Sequence, residues 1–173
     1  MKTLVLGGVK SGKSQLAVNL AENCARSVSL IATATAHDDE MRRRIEKHRS
    51  TRPAAWATLE EPIALGAAIG SMQNTGQCVV VDCLTLWLTN LLMLDDERVF
   101  QQEKQDLMEA VESCCETLIL VSNETSMGIM PMGELSRRYC DEAGLLHQAL
   151  AQLSDTVILT VAGLPHLLKG QMS

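Results

Sequence analysis

Leu4-Val5-Leu6 runs directly into Gly7-Gly8-Val9-Lys10-Ser11-Gly12-Lys13-Ser14, and a helical pattern from Ser14 to Asn23 follows. A short apolar strand, a glycine-punctuated loop closing on Lys-Ser and then a helix form the arrangement of a phosphate-binding loop. Gly7 and Gly12 allow a backbone path that wraps N–H groups around phosphate oxygens, and the helix behind offers the positive end of its dipole. In that arrangement Lys13 reaches the outer phosphates and Ser14 ligates Mg²⁺. An ordinary glycine-rich turn with a solvated lysine is the competing reading, and it leaves the strand and helix on either side unexplained. The eight residues Gly7, Gly8, Val9, Lys10, Ser11, Gly12, Lys13 and Ser14 are therefore the expected nucleotide cradle.

Composition narrows the partners. With 173 residues the chain suits one domain, given roughly 100–200 residues per domain, so 1–173 is read as a single nucleotide-binding unit. Its 46% hydrophobic and 21% charged residues are those of a globular protein. A formal net charge of -6 lacks the basic face that nucleic acid demands, which points to a small-molecule substrate. No apolar stretch approaches the roughly 18 residues of a membrane span. The apolar run at the N-terminus stops at Gly7, unlike a signal peptide, so the expected location is cytoplasmic. Cys24, Cys78, Cys83, Cys114, Cys115 and Cys140 form no Cys-x-x-Cys pair and have no histidine cluster at zinc spacing. They read as reduced core or surface residues.

Five continuous apolar runs, Thr3 to Leu6, Val28 to Ala32, Cys78 to Val81, Leu118 to Val121 and Val157 to Val161, read as parallel strands buried on both faces. Helical patterns lie between them: Ser14 to Asn23, Asp38 to about Arg49, Ile63 to about Met72, Leu86 to Leu94, Val99 to Cys114 and Glu134 to Leu153. This alternation predicts an α/β protein, a P-loop NTPase-like three-layer fold with a mostly parallel sheet. The leucine-rich stretch from Leu84 to Leu94 reads as a core or subunit-contact helix, since Thr85, Thr89 and Asn90 interrupt it.

Val79-Val80-Val81-Asp82 ends a buried strand on a carboxylate, and ligands to open α/β sheets gather at the carboxyl ends of the strands. Asp82 is thus a candidate acidic partner for Mg²⁺, with a capping role for the next segment as the alternative. Asp38 and Asp39 suit a helix start, and Met41, Ile45 and His48 fall on one face of the helix that follows. His48 ends that stripe beside Arg49 and Arg52, but spacing alone gives it no partner, and a histidine so placed is more often a packed or solvent-edge residue than a catalyst.

Several motifs in order together resemble the adenosylcobinamide kinase/adenosylcobinamide-phosphate guanylyltransferase family. They are the Gly7 to Ser14 loop, Ile31-Ala32-Thr33, Asp38-Asp39-Glu40-Met41, Arg44-Ile45 with His48, and Arg52-Pro53 with Trp56. The strand ending at Asp82, Thr89-Asn90-Leu91-Leu92, Asn123-Glu124, Met127-Gly128-Ile129 with Pro131, and Val161-Ala162-Gly163-Leu164-Pro165 complete the set. The similarity spans essentially the full length.

The resemblance implies two reactions of cobalamin nucleotide-loop assembly. ATP or GTP phosphorylates the aminopropanol hydroxyl of adenosylcobinamide, and GTP then transfers GMP to the adenosylcobinamide phosphate, releasing pyrophosphate, through a guanylyl group held on a histidine. His48 occupies the nucleophile position, Lys13 acts with it in catalysis, and Ser14 and Asp82 hold Mg²⁺. Thr33, Ala34, Thr35, Arg49, Ser50, Thr51, Arg52, Glu60 and Asp82 are implied nucleotide contacts. Glu60 has little support of its own, because an acidic residue beside Glu61 and Pro62 equally suits a helix start. The resemblance also implies a homo-oligomer, with a trimer as the candidate state. Two rivals share the loop: a small-molecule kinase without a covalent step, in which His48 only packs, and a non-enzymatic nucleotide-binding module. The chain has no Asn-Lys-x-Asp guanine-reading element, which counts against the second.

Overall fold

The structure of the protein, a computed structural model, describes residues 1–24, 26–36, 39–50 and 53–171, with the backbone alone at 41, 44 and 47–50. Its elements run β1 (Lys2–Gly7), α1 (Lys13–Asn23), β2 (Val28–Ala32), α2 (Asp39–Ser50), β3 (Ala57–Glu60), α3 (Leu65–Ser71), β4 (Cys78–Asp82), α4 (Leu84–Met93), α5 (Glu97–Ser113), β5 (Thr117–Asn123), α6 (Glu134–Leu153), β6 (Thr156–Val161) and β7 (Leu164–Lys169). One seven-stranded sheet has the order β3-β2-β4-β5-β1-β6-β7. Every neighbouring pair is parallel except β6 with β7.

The strands are apolar on both sides because both sides are covered. Leu4, Leu6, Ile31, Val79, Val81, Leu118 and Leu120 pack with α3, α4, α5 and α6 on one face. Alternate residues Val5, Leu30, Val80, Ile119 and Val121 meet Ala17 and Ala21 of α1 on the other. This is the three-layer arrangement that the continuous runs predict. The leucine-rich helix α4 belongs to the core of its own chain: Leu84, Trp87, Leu88, Leu91 and Leu92 are buried. Trp87 also donates its indole N–H to the Ile63 carbonyl at 2.7 Å. Its apolar face is thus already covered, and a subunit contact there would be confined to its exposed end at Met93 and Leu94.

Two strands lie outside the five expected. All four residues of β3 are exposed, so it is an edge strand with no apolar run to announce it. β7 is reached through a two-residue turn in which Ala162 (φ 52°) and Gly163 (φ 80°) both adopt positive φ, the conformation of a hairpin turn that matches strand twist. Pro165 is tolerated because β7 lies at the sheet edge.

Helix α3 approaches α5 at Gly66 so closely that a Cβ there would meet the Asp106 carbonyl carbon at 2.5 Å. Gly66→Ala is expected to destabilise the fold by about 1–3 kcal/mol through overpacking. Urea unfolding should show a lower midpoint at unchanged slope.

Candidate functional site

The carboxyl ends of β1, β2, β4, β5 and β6 gather at one edge of the sheet. Gly7 stands level with Asn123 and Thr160 on its two sides, and Ala32 with Asp82. Crossovers out of the core leave from this edge, so it is the side on which a ligand can sit.

The phosphate-binding loop bridges β1 and α1 there. Gly12 precedes α1 with φ 101° and Lys10 has φ 56°; the first turn of the helix holds no acidic residue to neutralise its positive end. The loop is braced from three sides. Ser11 N–H donates to the Gly8 carbonyl at 3.2 Å, Glu124 N–H to the Gly7 carbonyl at 2.9 Å, and Gly163 N–H to the Ser11 carbonyl at 2.9 Å. The hairpin tip before β7 is therefore part of the scaffold of the loop. A Cβ at Gly7 (φ 153°) would collide with the Thr160 carbonyl and lie 2.6 Å from Ser11 Oγ, so no other residue fits without moving β6.

Lys13 is only 7% exposed. Its Nζ donates to the Gly8 carbonyl at 2.6 Å and approaches Ser11 Oγ at 3.5 Å. Burial lowers its pKa from the ordinary lysine value, and Cys83 and Asp82 pull the other way. The ammonium is thus held by one carbonyl and one hydroxyl in a desolvated cradle. Because bound phosphates favour the charged form, nucleotide binding is expected to take up protons in alkaline solution. Affinity should then fall as pH rises through the Lys13 pKa of the free protein. Calorimetry in two buffers of different ionisation enthalpy reads the uptake.

Asp82 ends β4, half-buried, with β5 between it and the loop strand, and it bears electrostatically on Lys13. The Asp82–Cys83 peptide is cis. Burial pushes the Cys83 thiol up to about 11, so it stays neutral beside the site. Ser14, half-buried, lies in the first turn of α1. Among the described residues no group of three or more His, Cys, Asp or Glu is gathered to hold a metal ion. One serine and one carboxylate fit Mg²⁺, which takes few protein ligands and fills its shell with water and substrate phosphates.

Thr33 is wholly buried. Its hydroxyl donates to the Cys83 carbonyl at 2.7 Å and accepts from the Cys83 N–H at 3.0 Å. Asn90 of α4 donates to the Thr33 carbonyl at 2.8 Å and to the Pro62 carbonyl at 3.1 Å. Thr33 thus ties β2 to β4, and a ligand would meet the half-buried Ala34 and Thr35 beyond it. Glu60 is exposed at the end of β3, level with Ala32. Its neighbour Glu61 shapes the turn that leads into α3, accepting from Ile63 N–H at 3.0 Å and Ala64 N–H at 2.9 Å. His48, Arg49 and Ser50 form the last turn of α2 in backbone, but their side chains, like those of Met41, Arg44 and Lys47, lie outside the described residues. Asp38, Thr51 and Arg52 lie outside them altogether.

Sequence reasoning misses a buried polar chain under the edge. Thr85, Ser122, Glu124 and His147 adjoin one another: Thr85 Oγ1 lies 3.5 Å from Ser122 Oγ, and His147 Nδ1 faces Glu124 Oε2 at 3.6 Å, just beyond hydrogen-bond distance. Only Glu124 has a sequence signal, its place after an apolar run. His147 lies inside an amphipathic helix, where it looks like any core-facing histidine.

A model of the family described as cobinamide kinase / cobinamide phosphate guanyltransferase matches residues 3–168. The bifunctional adenosylcobalamin biosynthesis protein CobP of Pseudomonas aeruginosa is 56% identical over 171 residues, covering 99% of each chain. The CobU proteins of Escherichia coli and Salmonella typhimurium, named for the same bifunctional role, are each 37% identical, covering 95% of this chain and 97% of their own. A solved Pyrococcus horikoshii protein shares the fold at TM-score 0.54 and 10% identity, over 99% of this chain and 87% of its own. The chain belongs to the cobinamide kinase / cobinamide phosphate guanyltransferase family.

Proposed function

We propose that one phosphate cradle serves both reactions for which the family is named. In the first, ATP or GTP gives its γ-phosphoryl group to the hydroxyl of the aminopropanol arm of adenosylcobinamide. In the second, GTP transfers GMP to adenosylcobinamide phosphate by way of a guanylyl group on His48, giving adenosylcobinamide-GDP and pyrophosphate. The buried ammonium of Lys13, held 2.6 Å from the Gly8 carbonyl inside the loop, carries this reading, because phosphates there would favour the charge that burial opposes.

The loop N–H groups and the start of α1 would hold the β- and γ-phosphates, with Lys13 countering the charge that grows on them as either bond breaks. Ser14 and Asp82 would hold Mg²⁺, which supplies further neutralisation of the phosphate oxygens. His48 lies in the last turn of α2. Arg49 and Arg52, close to it in sequence, suit the charge on the α-phosphate and the leaving pyrophosphate. Passing GMP through an imidazole divides one difficult displacement into two easier ones. Arg49, Ser50, Thr51 and Arg52, with Thr35 and Glu60, are the further nucleotide contacts of this reading.

We place the enzyme in the cytoplasm as a homo-oligomer, with the exposed Leu164, Leu167 and Leu168 of edge strand β7 as the candidate interface. No helix among the described residues is long and apolar enough to cross a membrane. Incubation with adenosylcobinamide and GTP tests the reading. Adenosylcobinamide phosphate should appear first, then adenosylcobinamide-GDP with one equivalent of pyrophosphate; phosphorylation that never proceeds to pyrophosphate release would leave a kinase alone.

A further inference from the structure

Glu124 follows β5, the strand between the loop strand β1 and Asp82's strand β4, and its N–H is bonded to Gly7, the first glycine of the cradle, at 2.9 Å. Its carboxylate is held in place. Oε1 accepts from Ser126 N–H at 2.7 Å, and Oε2 faces His147 Nδ1 at 3.6 Å. The glutamate side chain keeps 16% of its surface open, whereas that of His147 keeps 8%. On the far side of the ring, His147 Nε2 lies 2.8 Å from Ser122 Oγ. Nδ1 is sealed from solvent and has no hydrogen-bond partner. Leaving such a nitrogen unsatisfied costs about 1–3 kcal/mol, and a small turn of the Glu124 carboxylate toward it would complete the bond.

The carboxylate sets the direction of the chain. An ionised Oε2 only accepts, so the neutral ring that faces it at 3.6 Å carries its hydrogen on Nδ1, and Nε2 then accepts from Ser122 Oγ at 2.8 Å. Thr85 Oγ1, which accepts from Asn123 N–H at 2.7 Å, lies 3.5 Å from Ser122 Oγ at the end of the chain. Burial lowers the imidazole pKa against the pull of Glu124 and so favours the neutral ring.

We propose that Glu124 is the general base of the phosphoryl-transfer half-reaction and that His147 is the positioning residue that aims its carboxylate. The proposal deepens the bifunctional reading and rests on it. In the first half-reaction the acceptor is an alcohol. Its oxygen attacks the γ-phosphorus, the bond to the β–γ bridging oxygen breaks with the electron pair leaving on the nucleoside diphosphate, and the hydroxyl proton passes to Glu124 Oε2. In the second, the nucleophiles are a neutral imidazole and an ionised phosphate, neither of which has a proton to lose before attack. A base at Glu124 therefore serves one half and not the other.

The test compares the two halves in Glu124→Gln, which keeps the shape of the side chain and removes its basicity. Phosphorylation of adenosylcobinamide should fall about 10²–10⁴-fold in kcat with little change in KM, while covalent labelling by α-labelled GTP proceeds as in the wild type. His147→Leu should lose roughly 10–100-fold in the same half only, and His147→Asn, whose amide can still donate toward Glu124, should recover most of it. Phosphorylation within about threefold of wild type in Glu124→Gln overturns the proposal, as does an equal fall in both halves. If that variant does not fold, Glu124→Asp, with its carboxylate drawn back by one methylene, must show the same contrast or the proposal fails. A wild-type enzyme that labels but never phosphorylates overturns the kinase reading itself, and the base with it.

Discussion

Lys13→Met is expected to slow both half-reactions by at least about 10²–10³-fold while leaving the ligand-free protein at least as stable as the wild type. The loss follows from position. Lys13 is the cation that the loop geometry aims at the outer phosphates, and both reactions break a bond to a phosphate oxygen that must accept charge. Removing one such preorganised donor costs roughly 10²–10³-fold in kcat where it has been dissected, and here the same donor acts in each half. The stability expectation comes from the burial of the ammonium. Its pKa is lowered by desolvation, so the folded empty protein holds the charge less readily than the unfolded chain does. That penalty is fully present below the folded-state pKa and fades as pH rises toward the ordinary lysine value. Methionine keeps the methylenes that fill the cradle and removes the charge. Thermal unfolding with and without GTP is the check: an unshifted or higher midpoint without nucleotide, and no further rise when GTP is added. Lys13→Arg should not rescue activity, since a planar guanidinium does not fit where Nζ sits 2.6 Å from the Gly8 carbonyl.

The inner sheet is legible because its strands are buried on both faces. Val79-Val80-Val81 and Leu118-Ile119-Leu120-Val121 have no polar residue to interrupt them, and a continuous apolar run ending at a carboxylate or amide marks both a strand and its ligand-side end. The edge strands are illegible for the converse reason. Ala57 to Glu60 is exposed throughout, and β7 carries a proline and depends on Ala162 adopting a conformation rare for alanine. Within the site, the loop reads directly from its glycines, lysine and serine, because each has a separate steric or electrostatic task. Thr33 and Asn90 do not, since their bonds join β2, β4, α4 and the segment before α3 across 28 to 57 residues of chain. Nor does the Glu124 and His147 pair, whose members are brought together by the packing of α6 against the sheet. His48 enters through resemblance, because nothing in its immediate spacing distinguishes a nucleophile from a packed imidazole.

The second large effect is at His48. An alanine there removes the only atom that the reading allows to carry GMP, so guanylyl transfer should vanish, not merely slow. Phosphorylation of adenosylcobinamide should persist, because Lys13, Ser14, Asp82 and the loop are untouched. A split of that kind separates a nucleophile from a residue needed for folding, which would lower both activities together.

Covalent labelling puts the central claim to the test. The protein is incubated with GTP labelled at the α-phosphorus, denatured, and examined for label that acid removes and alkali does not, the stability of a phosphoramidate. The account predicts such label on the wild type, at His48 on peptide mapping, and none on His48→Ala. Undiminished label on His48→Ala, or a wild type that completes GMP transfer without ever carrying label, would contradict it.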